Sequence, residues 1–437
     1  MKRIAFQQID NTGISIFRIL FGLLLMLEGF GAILTGWVRN VLVTPEFTFS
    51  FIPFPFLQPL PGYGMYFYFV ALGILGCAIM LGYKYRMAMI GYATLWAGVY
   101  FMQKTSYNNH YYLMLLLCWM MVFIPANKRF SLDAKRNPEI RTNHIDRWVY
   151  ILIIAQIGIV YTYAAVAKIY PDWLDLTVPN GILASLRRNP HIGWLFAHEL
   201  NAYAVAYIGI FYDLLIVPAL LWKPTRRVAF GISVFFHLFN SIVLQVGVFP
   251  YMALSFSVFF FPPEVLHRVF RIKNQVVYTA KELLVPKNYK TILTVCSIYL
   301  IIQVGLPVRH WFIQDDVLWT DEGHKLSWRM MLRSRQGSLN IYVENKETGE
   351  RERYNYTEVL THKQARVMEA NADLIWQMTQ RIKDEKGPDY AIYVDSKVSI
   401  NGGRFHTFID PEQDMAEAKW NYWGHNDWIL PSPESYK

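Results

Sequence analysis

The sequence predicts a polytopic α-helical membrane protein of about nine spans, with a cytoplasmic N-terminus and a C-terminal extracytoplasmic α+β, β-rich soluble domain. Hydrophobic residues make up 54% and charged residues 17% of the 437 residues, whereas a soluble domain carries about 25% charged residues. The mean hydropathy of +0.19 is too low for a chain that lies entirely in the membrane. We therefore expect a transmembrane domain at 1–309 and an extracytoplasmic domain at 310–437.

Runs that can cross about 30 Å of hydrocarbon contain about 20 apolar residues. Such runs lie at 13–36, 62–82, 86–103, 109–126, 146–168, 203–222, 228–247 and 290–309. A shorter run, 250–262, ends at Pro262-Pro263 and is expected to cross tilted or as a broken helix. Nothing near the N-terminus resembles a cleavable signal peptide, because the first run is too long and continues into Glu28.

Lysine and arginine residues set the predicted orientation, because cytoplasmic loops are enriched in them. With a cytoplasmic N-terminus, the inner segments from Lys2 to Lys290 carry 19 cations, Lys281 among them, and the outer connections carry 5. The reversed orientation inverts this bias. The net charge of +9 is therefore a topology signal, and we expect no nucleic-acid partner.

Cysteines and short motifs exclude several classes of protein. Cys77, Cys118 and Cys296 all lie inside apolar runs, which excludes a disulfide-held secreted domain and a cysteine-rich metal site. The sequence contains no GxGxxG, P-loop, paired CxxC or HExxH motif. Single histidines spread over several spans do not make a convincing haem or zinc site, so we expect no metal.

The C-terminal 128 residues have a soluble composition and mixed periodicity. Segments 325–333, 338–345 and 390–400 alternate like half-buried strands. Residues 363–384 repeat apolar positions at helical spacing. These patterns predict an α+β lid against the outer face of the membrane.

Polar residues inside or between spans are costly and point to function by default. In the run Lys104–His110, which joins the third and fourth spans, six of seven residues are polar. Helix capping is the competing interpretation, in which Asn108 or Asn109 caps the next helix and His110 lies at the wet interface.

Lys168 ends the fifth span and shares a helical face with Tyr161, Ala164 and Ala165. Small residues on that face let a neighbouring helix approach closely. The alternative is a lysine that snorkels from a helix end to the interface.

Two further spans carry polar residues. In the seventh span, His237, Ser241 and Gln245 step by four along one stripe, which predicts a face toward protein or a water-filled cavity. A hydrogen-bonded histidine in the bundle core is the alternative. In the first span, Arg18 and Glu28 lie about 15 Å apart along the helix, and we expect both to pair with other helices.

These residues resemble segments of one known family. The run KTSYNNH at 104–110, followed by Tyr112-Leu113, resembles the KTSWNNH-x-YL segment of the vitamin K-dependent gamma-glutamyl carboxylases. Further segments agree in the family's order over nearly the whole chain. They are Phe17–Gly22, Met80–Gly82 with Tyr85-Arg86, Val160–Lys168 with Asp172-Trp173, Phe236-His237 with Asn240-Ser241, Gly247–Phe249, Trp319-Thr320, Ser327-Trp328 with Met330-Met331, Val398–Asn401 and Ile409–Pro411.

The resemblance implies that 1–309 is an HTTM-like catalytic domain. It implies that O2 oxidises a reduced naphthoquinone, either vitamin K hydroquinone or menaquinol, to its epoxide. This oxidation is coupled to addition of CO2 at the γ-carbon of a peptide glutamate. Lys168 matches the family's base and His110 is the second catalytic candidate, while Asn109, His237 and Tyr161 are candidates for quinol binding. A lysine accepts a proton only as the neutral amine, the form that burial favours, and a dry cavity suits a reactive base.

The peptide side departs from the family. The candidates for binding the substrate glutamate are Arg187, Arg188, His324, Ser327 and Trp328. His324 stands where the family has a tyrosine, and the helix after Lys168 differs in length. These departures leave two alternatives open: quinol epoxidation without protein carboxylation, and a non-catalytic membrane binding or transport protein of the same fold.

The expected partners are the lipid bilayer, a lipid-soluble quinol and a glutamate-containing protein or peptide. Animal members carry a lumenal disulfide, whereas this chain has no cysteine outside its predicted spans, so we expect the lid to be tethered non-covalently. The small size of the lid favours a bacterial inner membrane, with the lid in the periplasm and menaquinol as the available naphthoquinol. In a eukaryote the corresponding sites are the ER membrane and its lumen.

The orientation is tested by cysteine labelling. A cysteine at position 350 should react with an impermeant thiol reagent added outside intact cells or spheroplasts, because 310–437 is predicted to be extracytoplasmic. A cysteine at position 135, in a predicted cytoplasmic loop, should stay unlabelled. The opposite pattern would overturn the orientation derived from charge.

Overall fold

Apolar helices follow the predicted spans in the computed structural model, which describes residues 2–273, 276–280 and 282–433. Lys281, one of the predicted cytoplasmic cations, lies outside the described residues. The longer helices are α1 (Thr12–Leu34), α2 (Gly64–Leu81), α3 (Tyr85–Met102), α4 (Asn109–Phe123), α5 (Trp148–Val166), α6 (Thr177–Arg187), α7 (Leu200–Leu221), α8 (Arg226–Ile242), α9 (Phe249–Ser255), α10 (Pro263–Val269) and α11 (Tyr289–Val308). Single turns of helix lie at Lys2–Ala5, Leu132–Arg136, Pro171–Leu174 and Val317–Thr320.

Five helices within the described residues are long and apolar enough to cross a membrane. They are Thr12–Leu34, Gly64–Leu81, Trp148–Val166, Leu200–Leu221 and Tyr289–Phe312. Helices α3, α4, α8 and α9 occupy the other predicted spans but are shorter or less apolar. The structure therefore supports a multi-pass membrane protein, while the count of nine crossings and the orientation stay predictions.

Glycines bring α1 and α2 into backbone contact. A Cβ atom on Gly22 of α1 would lie 2.4 Å from the backbone nitrogen of Met80, and one on Gly76 of α2 would lie 2.4 Å from that of Met26. Backbones approach this closely only where both helices present small residues. The two helices therefore pack backbone against backbone at this crossing.

Helix α8 ends earlier than the seventh predicted span. Its last residue is Ile242, and Gln245 lies beyond it with a φ of 53° and an exposed side chain. The predicted stripe of His237, Ser241 and Gln245 is therefore wrong at its third member, because the chain has left the helix. Ser241 donates a hydrogen bond to the Tyr251 hydroxyl at 2.9 Å.

Glu28 pairs with another helix, as predicted, whereas Arg18 pairs with a loop and not with a helix. Arg18 donates a hydrogen bond of 2.5 Å to the carbonyl of Phe130. The Tyr111 hydroxyl of α4 donates to a carboxylate oxygen of Glu28 at 2.6 Å. Both contacts tie α1 to later parts of the chain.

Two antiparallel sheets are present in the described residues. Strands β1 (Gln8–Asp10) and β2 (His144–Asp146) form a small pair near the N-terminus. Strands β3 (Arg335–Asn345), β4 (Arg351–Tyr354), β5 (Tyr390–Ile400) and β6 (His406–Thr407) form the lid sheet in the order β4-β3-β5-β6. Alternate residues of β3 point into the lid core, as the period of two requires. The strands predicted at 338–345 and 390–400 are confirmed.

The strand predicted at 325–333 is wrong. These residues form turns, and Leu326, Trp328 and Met331 have positive φ angles, which a strand does not permit. The Trp328 ring leaves the lid and stacks on Tyr112 of α4, with ring centroids 4.7 Å apart. The alternating apolar residues therefore anchor a turn to the membrane domain and do not line a sheet.

The helix predicted at 363–384 is divided in two. Helix α12 (His362–Met368) begins with a capping box formed by Thr361 and Gln364, and α13 (Ala372–Lys386) follows after a short break. In the break, the Ala370 carbonyl accepts a hydrogen bond of 2.9 Å from Arg335 of β3. This bond takes a carbonyl that a continuous helix would use for itself.

A buried ionic cluster and an aromatic side chain attach the lid to the membrane domain. Lys104, in the turn between α3 and α4, forms an ion pair with Asp373 of α13, and Lys325 lies 3.7 Å from the same carboxylate. Lys363 donates a hydrogen bond of 2.9 Å to Ser106. Phe49, from the loop between α1 and α2, is buried in the lid core. The described contacts between these two parts are non-covalent, in line with the expectation from cysteine placement.

Asp373 is expected to stabilise lid attachment. Burial alone would raise the pKa of Asp373, but attraction by Lys104 and Lys325 outweighs it, so the pKa lies below its ordinary value. Asp373→Asn leaves two buried cations without this partner, and breaking a buried pair costs about 3–5 kcal/mol. Thermal unfolding of the solubilised protein should show a lower Tm than wild type.

The control is Asp384→Asn, on the exposed face of the same helix. A carboxylate with a depressed pKa contributes stability above its unfolded-state pKa of about 3.9. That contribution is lost as the pH falls through the folded-state value. The Tm difference between wild type and Asp373→Asn should therefore shrink below about pH 4. Equal Tm values for both asparagine variants at neutral pH would contradict this role.

Candidate active site

Lys168 lies just after α5 and is buried, with 8% of its surface exposed. Its Nζ atom donates hydrogen bonds to Asp213 Oδ2 at 2.6 Å and to the Ala164 carbonyl at 3.0 Å. The Trp173 ring lies 5.6 Å from the same nitrogen. The side chain therefore points into the bundle and does not snorkel to the interface.

Asp213 is the functional candidate that sequence reasoning missed. It lies on α7 inside the predicted span 203–222 and is buried. An ionisable residue within an apolar run is itself a signal of function, so the sequence contained the information. Gly209 of α7 lies beside the lysine side chain, since a Cβ atom added there would be 3.8 Å from Lys168 Cε.

His237 of α8 is fully buried beside the same two helices. Its Nε2 atom lies 2.9 Å from the Tyr161 hydroxyl and 3.1 Å from the Tyr212 hydroxyl, and Tyr212 donates a further hydrogen bond to Ser233. Its Nδ1 atom is buried without a hydrogen-bond partner among the described residues. Nε2 therefore has the contacts of a core histidine, while Nδ1 remains available to a ligand.

His110 and His237 are connected through Phe249. The His110 ring stacks on Phe249 with ring centroids 4.5 Å apart, and the His237 ring meets Phe249 edge-on at 5.8 Å. Phe249 opens α9, immediately after the loop that follows α8. No hydrogen bond connects the His110 imidazole to another described residue, so its nitrogens can bind a ligand.

The turn before α4 has both a capping role and a positioning role. Asn108 is the N-cap of α4 and accepts a hydrogen bond of 2.7 Å from the Tyr111 backbone, so the capping interpretation is confirmed for that residue. Asn109 accepts a hydrogen bond from Tyr107 and donates one to the Arg329 carbonyl, both at 3.0 Å. Asn109 thus links the helix that carries His110 to the lid turn.

The predicted catalytic and quinol-binding residues converge on α4, α5 and α8. Tyr161 lies on α5, and Lys168 follows the end of that helix. The hydroxyls of Tyr161 and of Tyr212 on α7 both contact His237, and Asp213, the next residue on α7, pairs with Lys168. These polar contacts therefore lie along the contact between α5 and α7, and His237 joins them to the histidine–phenylalanine stack.

Two cavities lie beside the helices that carry this stack. A cavity of about 590 Å³ lies between α1, α8, α9 and α10, lined mainly by leucine, phenylalanine and valine side chains. A second cavity of about 430 Å³ shares Leu24, Leu27 and Tyr251 with it and adds Glu28 and Val248. Val248 precedes Phe249 in the chain. This arrangement suits an apolar ligand that arrives from the bilayer.

A separate pocket of about 550 Å³ lies between the end of α5 and the lid. Ala167 and Ile169, the two neighbours of Lys168 in the chain, line it together with Ser327, Arg329 and His310. Polar groups of the lid and the end of the lysine helix therefore meet at one opening.

Of the predicted glutamate-binding residues, Ser327 alone is among those that line this pocket. Trp328 is 1% exposed, with its ring against Tyr112. His324 has a buried Nδ1 atom without a partner among the described residues. Its pKa lies well below the ordinary value, because burial disfavours the charged ring and Arg333 repels it. His324 is therefore a neutral group.

The two predicted arginines lie elsewhere. Arg187, at the end of α6, donates hydrogen bonds to the Phe196 carbonyl at 2.9 Å and to Asn180 at 3.0 Å. Arg188 is exposed. Neither is among the residues that line the pocket beside the lysine helix, so the structure does not bring them together with Ser327.

Apolar helices around a buried lysine and two histidines, with a sheet-containing C-terminal part, define a multi-pass membrane protein with a polar site. Residues 6–264 match the family model for the HTTM domain. Residues 288–435 match the model for the vitamin K-dependent gamma-carboxylase, lumenal domain. The chain belongs to the vitamin K-dependent gamma-carboxylase family, which implies an enzyme that uses reduced vitamin K, O2 and CO2. No solved structure matches this chain.

Asp213 should act together with Lys168 in quinol oxidation. Asp213→Asn removes the carboxylate that orients the amine, and general acid–base groups contribute about 10²- to 10⁴-fold to rate. We expect at least a roughly tenfold fall in kcat for epoxide formation, with little change in the KM for quinol.

The double variant Lys168→Ala with Asp213→Asn should be no slower than Lys168→Ala alone, because residues that act as a unit are not additive. The matched control is Asp175→Asn, which changes an exposed carboxylate that follows α5 in the chain. Full epoxidation by Asp213→Asn, measured by chromatography of the product, would remove Asp213 from the site.

Proposed function

We propose that this protein is a vitamin K-dependent carboxylase that couples two reactions. It oxidises a reduced naphthoquinone with O2 to the epoxide, and it adds CO2 at the γ-carbon of a glutamate in a peptide, which is peptidyl-glutamate 4-carboxylase chemistry of the carbon–carbon lyase type. The observation that carries the proposal is the buried Lys168–Asp213 pair beside His237 and Tyr161.

Lys168 is the proposed base. The hydrogen bond of 2.6 Å to Asp213 allows one proton to pass between the two side chains. Transfer of this proton to the carboxylate leaves a neutral pair, which a low-dielectric site favours over separated charges. The neutral amine can then accept a proton from a hydroxyl group of the quinol. The quinolate that this transfer leaves behind balances the charge of the protonated lysine, and Asp213 orients the amine.

The histidines fit a quinol because each has a free nitrogen. His237 Nδ1 is buried without a partner among the described residues, and His110 uses its ring face against Phe249. These nitrogens would hold the two oxygens of the quinol, with Tyr161 fixing the His237 ring and Asn109 fixing the turn. When bound, the reduced naphthoquinone reacts with O2 and supplies the strong base that removes the γ-proton of glutamate. The apolar surroundings exclude water from that step.

The setting of the reaction is part of the same proposal. Nine crossings with a cytoplasmic N-terminus put the lid outside, where a peptide arrives, while the quinol enters from the bilayer. The catalytic part is 1–309 and the extracytoplasmic part 310–437. A bacterial inner membrane with a periplasmic lid and menaquinol as donor agrees with the charge bias and the cysteine placement.

A second candidate function is quinol epoxidation without protein carboxylation. The observation that favours it is the peptide side of the site, where His324 is neutral and Arg187 and Arg188 lie outside the pocket. A non-catalytic binding or transport protein is disfavoured, because a buried lysine–carboxylate pair is costly to maintain without a chemical role.

Lys168→Ala should abolish epoxide formation while the protein still folds and inserts. Loss of the base removes proton abstraction from the quinol, so we expect a rate at least about a hundredfold lower. Small amines should restore part of this activity. The assay uses purified protein with reduced naphthoquinone, labelled bicarbonate and a glutamate peptide, and measures epoxide and fixed label separately.

The matched control is Lys223→Ala, an exposed lysine before α8, which should keep wild-type rates. Near-normal epoxidation by Lys168→Ala without added amine would refute the assignment. Epoxide without fixed label from the wild-type protein would select the second candidate function.

A further inference from the structure

Arg329 lines the pocket between α5 and the lid. Asp316 and Asp321 attract its guanidinium, but no carboxylate of the described residues lies within ion-pair distance of it. Its Nε atom is buried without a hydrogen-bond partner among the described residues, and its Nη1 atom donates to His310 Nε2 at 3.3 Å. A partly buried cation without a direct ion-pair partner is unfavourable unless a ligand supplies a negative charge at contact distance.

His310 determines which donors of Arg329 remain. The His310 Nδ1 atom lies 2.7 Å from the Pro307 carbonyl, which can only accept a hydrogen bond. The proton is therefore on Nδ1, and Nε2 accepts from Arg329. The rest of the guanidinium, including Nε, is left for a further acceptor. A carboxylate can take two parallel N–H donors from one guanidinium.

The carboxylates that line the pocket already have partners. Asp172 accepts a hydrogen bond of 2.7 Å from Asn401. Asp315 accepts from Ser432 at 2.5 Å, and Asp316 accepts from the Leu318 backbone at 2.7 Å. Asp315 and Asp316 thus stabilise the lid, and Asp172 links the end of α5 to the lid. Asp316 attracts Arg329, but none of the three forms an ion pair with it.

The backbone of Arg329 is held next to Asn109, one of the candidates for quinol binding. Its carbonyl accepts the hydrogen bond of 3.0 Å from Asn109, and the preceding Trp328 stacks on α4. The pocket that its side chain lines also contains Ala167 and Ile169, on either side of Lys168. A carboxylate at Arg329 would thus lie between the lid and the end of the lysine helix.

We propose that Arg329 binds the side-chain carboxylate of a glutamate in the peptide substrate, with Ser327 lining the same pocket. This inference rests on the proposed function, because the ligand is the glutamate that the reaction consumes. It replaces Arg187 and Arg188, since the donors of Arg187 are used within its own segment and Arg188 lies on the surface. Burial and the nearby Arg333 lower the pKa of Arg329 to about 10, which still leaves it charged at neutral pH.

The test compares binding of two short peptides that differ only in glutamate or glutamine at one position. Purified full-length protein in detergent is titrated with each labelled peptide by microscale thermophoresis. We expect wild type to prefer the glutamate peptide by at least tenfold. Arg329→Gln should lose this preference, and Arg329→Lys should keep part of it because the charge remains. Unchanged preference in Arg329→Gln would overturn the proposal, as would equal binding of both peptides by wild type.

Two controls separate Arg329 from general effects. Arg353→Gln, on the exposed strand β4, should keep the wild-type preference. The pair Arg187→Gln with Arg188→Gln should also keep it. If this pair loses the preference while Arg329→Gln retains it, Arg187 and Arg188 bind the glutamate and Arg329 does not. The Tm of Arg329→Gln should stay close to that of wild type, so that a lost preference does not reflect a loss of folding.

The binding test and the carboxylation assay fail independently. A wild-type protein that discriminates the peptides through Arg329 but fixes no label refutes carboxylation and supports the carboxylate site. A protein that fixes label while Arg329→Gln retains both the preference and the KM for the glutamate peptide supports carboxylation and refutes this site.

Discussion

The buried pair of Lys168 and Asp213 constrains the arrangement of the site. Taking one charge out of water without the other costs several kcal/mol, so α5 and α7 must meet where these side chains meet. The same helix contact brings Tyr161 and Tyr212 to one nitrogen of His237. The position of α8 follows from that contact, and the start of α9 then brings an aromatic ring between the two histidines.

The turn Lys104–His110 explains why so many polar residues occur together in the sequence. Lys104 pairs with the lid helix α13, Asn108 caps α4, and Asn109 holds the backbone of Arg329. His110 faces Phe249. Each residue meets a different part of the chain, so the motif is dense because one short turn connects helix, lid and site.

The sequence predicts the helices and strands that depend on local pattern. It misses the contacts that depend on residues far away in the chain. Apolar length located the helices, and the alternation of β3 and β5 located the lid strands. The same alternation at 325–333 was misleading, because Trp328 packs on α4 with a positive φ. Lys168 and His237 stood out from apolar surroundings, whereas the role of Phe249 depends on two rings from other helices. Arg329 was not among the candidates from the sequence, because only the folded chain shows that it lines the pocket next to the end of α5.

The position of Phe49 in the lid core has a consequence for biosynthesis. This residue leaves the ribosome early, in the first connection between helices, whereas the sheet that buries it is made near the end of translation. The apolar side chain of Phe49 therefore stays outside its final core until almost the whole polypeptide has been synthesised. A lid produced alone would lack part of its own interior. The lid core is therefore complete only when the first connection of the membrane bundle is packed into it.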